Sequence, residues 1–199
     1  MTELNTLRGL AGLPLDPPSL ATSTLILVDC QNTYTQGVME LDGVQAALDE
    51  AAALLDRART AGIPVIHIQH DDGPGSLYDV SGESGAIVSR VAPRDGEPVV
   101  VKNYPNSFVH TELEERLKSV GARSLIIGGF MTHMCVNSTA RGAFNLGYAP
   151  TVVAAATATR SLPGVDSGDV PAAILQAASL AALKDLFAVV VPGGRAIPD

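Results

Sequence analysis

Tryptophan is absent, aromatic residues make up only 4% of the chain, and cysteine occurs twice in 199 residues, at Cys30 and Cys135. With so few large rings, the core must be filled by Ala, Val, Leu and Ile, a composition that suits helices layered on parallel strands. Two cysteines make neither a disulfide framework nor a zinc site by themselves. They leave a reactive thiol as the possibility of interest and a reducing cytoplasm as the expected setting. Basic residues are also scarce, 13 Lys and Arg against 21 Asp and Glu, for a net charge of −8. A surface of that sign repels phosphates, so nucleic acid and anionic membranes are excluded as expected partners. No apolar run is long enough to span a bilayer. The segment Met1 to Leu20 mixes Glu3, Arg8 and prolines and lacks the pattern of a signal peptide.

What is present is a hydrophobic fraction of 46% with 17% charged residues, enough for a sizeable core in one compact domain. Thr24 to Val28 reads as a strand buried on both faces and ends at Asp29. Gly43 to Ala61 is an Ala- and Leu-rich helix closed by Gly62, and Ile63 to Gln69 resumes as a strand. Asp71 to Glu97, rich in glycine, proline and serine, is longer than most connections, and loops of that length tend to be functional. Pro98 to Val101 is a strand delivering Lys102, and Thr111 to Val120 is a helix. Ser124 to Ile127 is a strand running into Gly128 and Gly129, and Val136 to Leu146 is a helix. Pro150 to Ala154, Pro171 to Lys184 and Phe187 to Val191 follow as strand, helix and strand.

Six strands alternating with helices predict a single α/β domain. Its sheet should be doubly wound, mainly parallel and six-stranded, with helices on both faces in a three-layer, Rossmann-like arrangement. Residues 1–23 read as an amino-terminal arm, placed to cover a neighbouring subunit, and residues 24–199 as the domain. In such sheets ligands lie beyond the carboxyl ends of the strands, where Asp29, Lys102 and the segment from Gly128 to Cys135 all fall.

Cys135 precedes a helix start, where unpaired N–H groups and the positive end of the dipole favour a thiolate. Taken alone, it fits a buried small residue equally well. Asp29 and Lys102 each fit a turn residue or a solvated charge taken singly. Jointly, a carboxylate to take the thiol proton and a lysine to stabilise charge make a constellation for nucleophilic catalysis. Cys30, adjacent to Asp29 on a strand, should face the other way and pack in the core.

The segment Leu27-Val-Asp-Cys-Gln-Asn32 resembles the Val-Asp-x-Gln-Asn motif of the isochorismatase-like cysteine hydrolases. Lys102-Asn-Tyr-Pro-Asn-Ser-Phe108 resembles their lysine segment, and Gly128-Gly-Phe-Met-Thr-His-Met-Cys-Val136, followed by Thr139 and Arg141, their nucleophile segment. The resemblance implies Cys135 as nucleophile, Asp29 as acid and base, and Lys102 as the third member. It further implies a cis peptide between Phe130 and Met131 and an oxyanion hole built from the N–H groups of Met131 and Cys135. The implied reaction is acyl transfer from a small amide, lactam or ureide through a thioester. Hydrolysis of an isochorismate-type vinyl ether, and a binding protein that has lost turnover, remain as alternatives.

Tyr34, Tyr104, Phe130 and His133 are candidates to contact the substrate, with Met131, His70 and Phe108 also near the site, and Phe108 and Met134 are better suited to core packing. Nicotinamidases of this superfamily bind a metal through an Asp-x-His arrangement. His67-Ile-Gln-His-Asp-Asp72 lacks that spacing, so neither a metal nor an organic cofactor is expected. The resemblance also implies a homodimer or higher homo-oligomer and a small-molecule substrate.

Overall fold

The computed structural model describes residues 5–199. A short helix α1 (Leu7–Leu10) leads into the first strand β1 (Ser23–Val28), which is followed by the long helix α2 (Val44–Ala61). Strands β2 (Val65–His70) and β3 (Val99–Lys102) come next, then α3 (Leu113–Ser119), β4 (Ser124–Phe130) and α4 (Asn137–Asn145). Strand β5 (Ala149–Ala158) precedes a two-residue antiparallel ribbon, β6 (Leu162–Pro163) with β7 (Asp169–Val170). Helix α5 (Ala172–Asp185) and β8 (Val189–Val191) complete the chain.

Six strands pair in the order β3-β2-β1-β4-β5-β8, all parallel, as expected. The chain winds outward from β1 in one direction and then returns to wind the other way from β4. The order therefore reverses between β1 and β4, where a crevice opens beyond their carboxyl ends. Every residue of β1 is buried, because helices cover both faces of a parallel sheet. Leu25, Leu27, Ile126 and Val153 join the core beneath α2. Their neighbours Ile26, Val28, Ile127 and Val152 join the core shared with α3, α4 and α5.

Helix α2 owes its length to apolar residues recurring on one side, Val44, Ala47, Leu48, Ala51, Leu54, Leu55 and Ala58. It stops at Gly62, whose φ of 67° lets its N–H turn back to the carbonyls of Ala58 and Arg59. Two strands run further than their sequence suggests: β4 continues through Phe130 and β5 through Ala158, across a register shift between Ile127 and Gly129. The described part of the amino-terminal arm lies on its own chain. The Leu7 N–H donates to Asp185, and the Arg8 guanidinium donates to the carbonyls of Pro14 and Leu186. Among the described residues no helix is long and apolar enough to cross a membrane.

Candidate active site

Three strand ends converge at the crevice. At the end of β1, Asp29 takes a φ of 48°, which breaks the alternation of the strand. Its backbone is held there by Ile68, which accepts its N–H at 3.0 Å, and by the Gln31 N–H, which donates to its carbonyl at 2.8 Å. Asp and Asn enter this left-handed region at lower cost than most side chains. At the end of β3, Lys102 is register-paired with His70 of β2, so their side chains leave the same face of the sheet. At the end of β4, Gly129 sits so close to β1 that a Cβ there would collide with the Val28 carbonyl oxygen, and its φ is 113°. Only glycine lets β4 close on β1 at this point.

Beyond β4 the Phe130–Met131 peptide is cis, as the resemblance implies. A single π-helical turn, Thr132–Val136, then carries Cys135 and runs directly into α4. The Met131 carbonyl accepts from the N–H groups of Met134 and Val136 at 3.0 and 3.2 Å. The helical segment thus begins four residues before the expected start at Val136, and Cys135 lies inside its first turn rather than ahead of it. The extra residue in the turn swings Met134 outward, where it is 39% exposed instead of packed in the core.

Asp29 and Lys102 are both fully buried, and Cys135 retains only 5% of its surface. The Lys102 ammonium lies 2.7 Å from Asp29 Oδ2, donates to Cys135 Sγ at 3.3 Å, and contacts His70 Nδ1 at 3.0 Å. Asp29 Oδ2 is paired with the lysine by charge but out of line for a hydrogen bond, and Oδ1 has no donor at all. A buried carboxylate oxygen without a donor is an available proton acceptor. Burial, reinforced by the Asp29 charge and opposed by Lys102, pushes the Cys135 thiol up to about 12. This corrects the expectation that the helix start and the lysine favour a resting thiolate: desolvation and the carboxylate outweigh them. The resting trio is therefore an Asp29–Lys102 ion pair beside a neutral thiol.

The loop after Lys102 is tied to α4, so that lysine and cysteine share one support. Ser107 donates its N–H to Thr139 Oγ1 at 3.1 Å, and the two hydroxyls meet at 2.8 Å. Gly142 leaves room for the Asn106 side chain, which a Cβ would meet at 2.6 Å. Gln31 binds both backbone groups of His70 and also donates to the Gly85 carbonyl. Asn32 donates to Glu83, and Val88 donates to the Cys30 carbonyl. These bonds fold the long segment after β2 back over the site and bring Tyr78 to it.

The candidate contact residues divide. Tyr34 is buried, with its ring edge-on to Tyr78 and to Phe130 at 5.8 Å from each. Burial, followed by the charge of Asp29, raises its hydroxyl above the ordinary tyrosine range. Met131 is buried with the residues beneath α2, and His70 touches the lysine directly. Phe130 is wholly buried among the residues beneath α2, because β4 extends through it and alternation turns it inward; it packs rather than faces a ligand. His133 is turned toward the end of β5, its Nδ1 at 2.6 Å from Thr159 Oγ1. Tyr104 is 49% exposed against the His110 ring and lies outside the site. Phe108 stacks on Tyr148, as a packing residue does. Cys30 is buried beneath α2, as expected, and burial raises its thiol well above the ordinary range. Sequence reasoning assigns no role to Gln31, Tyr78, Ser107 or Thr139; the first, third and fourth stand within the quoted motifs, which is the available signal.

Residues 23–192 match the isochorismatase domain model. The solved structure of an isochorismatase from Pseudomonas putida KT2440 superimposes with a TM-score of 0.92 at 38% identity, covering 96% of this chain and 97% of that one. The secreted isochorismatase effector Isc1 of Verticillium dahliae is 31% identical over 94% of this chain and 97% of its own length. The ureidoacrylate amidohydrolase RutB of Stutzerimonas stutzeri is 31% identical over 73% of this chain and 75% of its own length. With its sheet order, its strand-end residues and these likenesses in agreement, the chain belongs to the isochorismatase family.

Proposed function

We propose that the protein is a cysteine-dependent hydrolase that cleaves the C–N bond of a small amide, lactam or ureide through a thioester intermediate. The observation that carries this reading is the single buried ammonium lying between an aspartate and a cysteine thiol. The amidohydrolase relative adds support for the bond cleaved. The thiol retains only 5% of its surface, with Tyr34 and Tyr78 near enough to feel its charge, and such burial favours a small molecule over a polymer.

As Sγ attacks the carbonyl carbon, its proton passes to Asp29, and the carbonyl oxygen becomes an oxyanion held by the N–H groups of Met131 and Cys135. Asp29 then returns the proton to the departing nitrogen as the C–N bond breaks, leaving a thioester on Cys135. A water molecule, deprotonated by Asp29, attacks the thioester; the acid leaves and the thiol is restored. Lys102 remains an ammonium throughout, facing whichever partner carries the negative charge.

The test is a panel of small amides, lactams and ureides, followed by turnover and by intact mass. A turned-over substrate should leave an acyl adduct on Cys135, and Cys135→Ala should abolish hydrolysis while keeping the fold. Turnover of a vinyl ether that survives Cys135→Ala, with no adduct from any amide, would instead establish the isochorismate-type reaction.

A further inference from the structure

We propose that His70, backed by Asp72, is a positioning residue that holds the Lys102 ammonium between Asp29 and Cys135. This rests on the hydrolase reading above and deepens it. An ammonium has three N–H bonds and no lone pair. Lys102 Nζ has three neighbours: Asp29 Oδ2, paired with it by charge at 2.7 Å, and two hydrogen-bonding partners, His70 Nδ1 at 3.0 Å and Cys135 Sγ at 3.3 Å. The lysine is wholly buried, so water does not substitute for any of the three.

Only a neutral imidazole with a bare Nδ1 fits this place. A proton there would set donor against donor and cation against cation at 3.0 Å. The other ring nitrogen then carries the hydrogen, and Nε2 lies 3.0 Å from Asp72 Oδ1, a carboxylate suited to accept it. The ring is fixed from further sides. The Tyr78 ring meets it edge-on at 4.9 Å, and Gln31 clasps the His70 backbone through both its N–H and its carbonyl. The titratable groups facing His70 are thus Lys102 from β3, Asp72 and Tyr78 from the following loop, and, behind the lysine, Asp29 and Cys135. With both nitrogens engaged inside the protein, His70 has none left for a substrate or a metal.

Without the imidazole acceptor, one N–H of a buried ammonium loses its partner. The cation is then drawn onto Asp29 and away from sulfur, and the thiolate loses its stabilising donor.

The experiment measures alkylation of Cys135 by iodoacetamide against pH, with melting temperature as the folding control. His70→Leu should slow alkylation at pH 8 about tenfold or more, the effect of losing a hydrogen bond to a charged group. Its pH profile should move to higher pH. His70→Asn, whose side-chain oxygen sits near the place of Nδ1, should restore most of the rate. Asp72 is half exposed, so Asp72→Ala leaves the fold intact. It should give a smaller drop in the same direction, and no drop in the His70→Asn background, where the shorter side chain does not reach it. With a turned-over substrate, the change should fall on kcat and leave KM unaltered.

Wild-type rates in His70→Leu, or an Asp72→Ala effect undiminished in the His70→Asn background, would overturn the proposal. The second comparison decides even if His70→Leu does not fold. Absence of acyl adducts with the alkylation pattern intact would refute the hydrolase reading alone. Adducts in the wild type with identical alkylation in every His70 variant would refute the positioning role alone.

Discussion

Replacing Asp29 by asparagine should make Cys135 more reactive toward a simple alkylating agent while destroying hydrolysis. Asparagine accepts the left-handed backbone of this position, so the exchange removes a charge and little else. Lys102 Nζ lies 2.7 Å from Asp29 Oδ2 and 3.3 Å from Cys135 Sγ, which places the two anionic positions within about 6 Å of each other. At that separation and an effective dielectric of about 20, the repulsion between a carboxylate and a thiolate is about 3 kcal/mol. That corresponds to about two pH units. The thiol, held up at about 12 by burial and by Asp29, should fall toward the ordinary cysteine range. At pH 8 the thiolate population then rises about a hundredfold. A less basic thiolate is also less nucleophilic, which returns roughly a factor of ten of that gain.

The net expectation for Asp29→Asn is alkylation at Cys135 about tenfold faster at pH 8, with amide turnover lower by about 10²–10⁴-fold through loss of the acid and base. Rates of iodoacetamide incorporation, located by peptide mass in a Cys30→Ser background, measure the first. Steady-state turnover measures the second. Alkylation that slows on removal of the carboxylate would refute the argument, because it would mean that Asp29 promotes ionisation of the resting thiol instead of opposing it.

Four further outcomes follow from the structure. Glu97 joins α2 to β2: it accepts two bonds from Arg59 at 2.8 Å each and lies 3.1 Å from His67 Nε2. The Arg59 bond, chiefly, holds the Glu97 carboxyl at about 2 against an ordinary 4.5. Its stabilisation is therefore complete above about pH 4.5 and lost as pH falls toward 2. Burial likewise depresses His67 below its ordinary 6.5, so that residue begins to withdraw stability as pH drops below that value. Urea unfolding should show Glu97→Gln less stable by an order of 2–3 kcal/mol at pH 7, with the gap closing near pH 3; a constant gap would exclude the linkage. Gly129→Ala drives a Cβ into the Val28 carbonyl and should cost at least about 2 kcal/mol along with nearly all activity. Gly147→Ala, which meets open space, should cost only about 1 kcal/mol from its positive φ. Cys30→Ser should retain turnover, because Cys30 is sealed in the core beneath α2 and its thiol donates to the Val28 carbonyl; loss of acyl transfer in that variant would reassign the nucleophile.

The fold is legible where local pattern and burial coincide. Runs such as Leu25 to Val28 have no solvent face to alternate toward, and Gly62 marks a stop that any helix would need. Strand ends can be read in the same way, so Asp29, Lys102 and Cys135 emerge as a group from sequence without their distances. What the pattern hides is set by tertiary contact. The extension of β5 through Ala155 to Ala158 depends on pairing across a register shift with β4, and alanine carries little strand preference of its own. The π turn at Cys135 is defined by the bond from the Val136 N–H to Met131 O, which no residue type announces. His70 can be placed near the site, yet its contact with Lys102 follows from the β2–β3 register, which depends on how two distant strands align. The direction of the thiol shift is hidden for the same reason: it is governed by burial and by Asp29, and neither is a property of the helix that carries the cysteine.

Under the proposed mechanism, the arrangement also accounts for ionic chemistry in a place so poorly solvated. An isolated buried charge is costly, and a change in the net charge of such a site during reaction would add that cost to the barrier. Here the resting trio contains one carboxylate, one ammonium and a neutral thiol, with no net charge. Moving the thiol proton to Asp29 leaves a neutral acid, the same ammonium and a thiolate, again with no net charge. The negative charge crosses from oxygen to sulfur around a cation whose nitrogen already lies within 3.3 Å of both. The step therefore redistributes charge across a fixed pair and requires no counter-ion to enter. Burial raises the thiol, so under this mechanism little thiolate stands exposed to reagents before a substrate arrives. A carbonyl that fills the crevice can receive the sulfur as its proton leaves, so a free thiolate never has to accumulate.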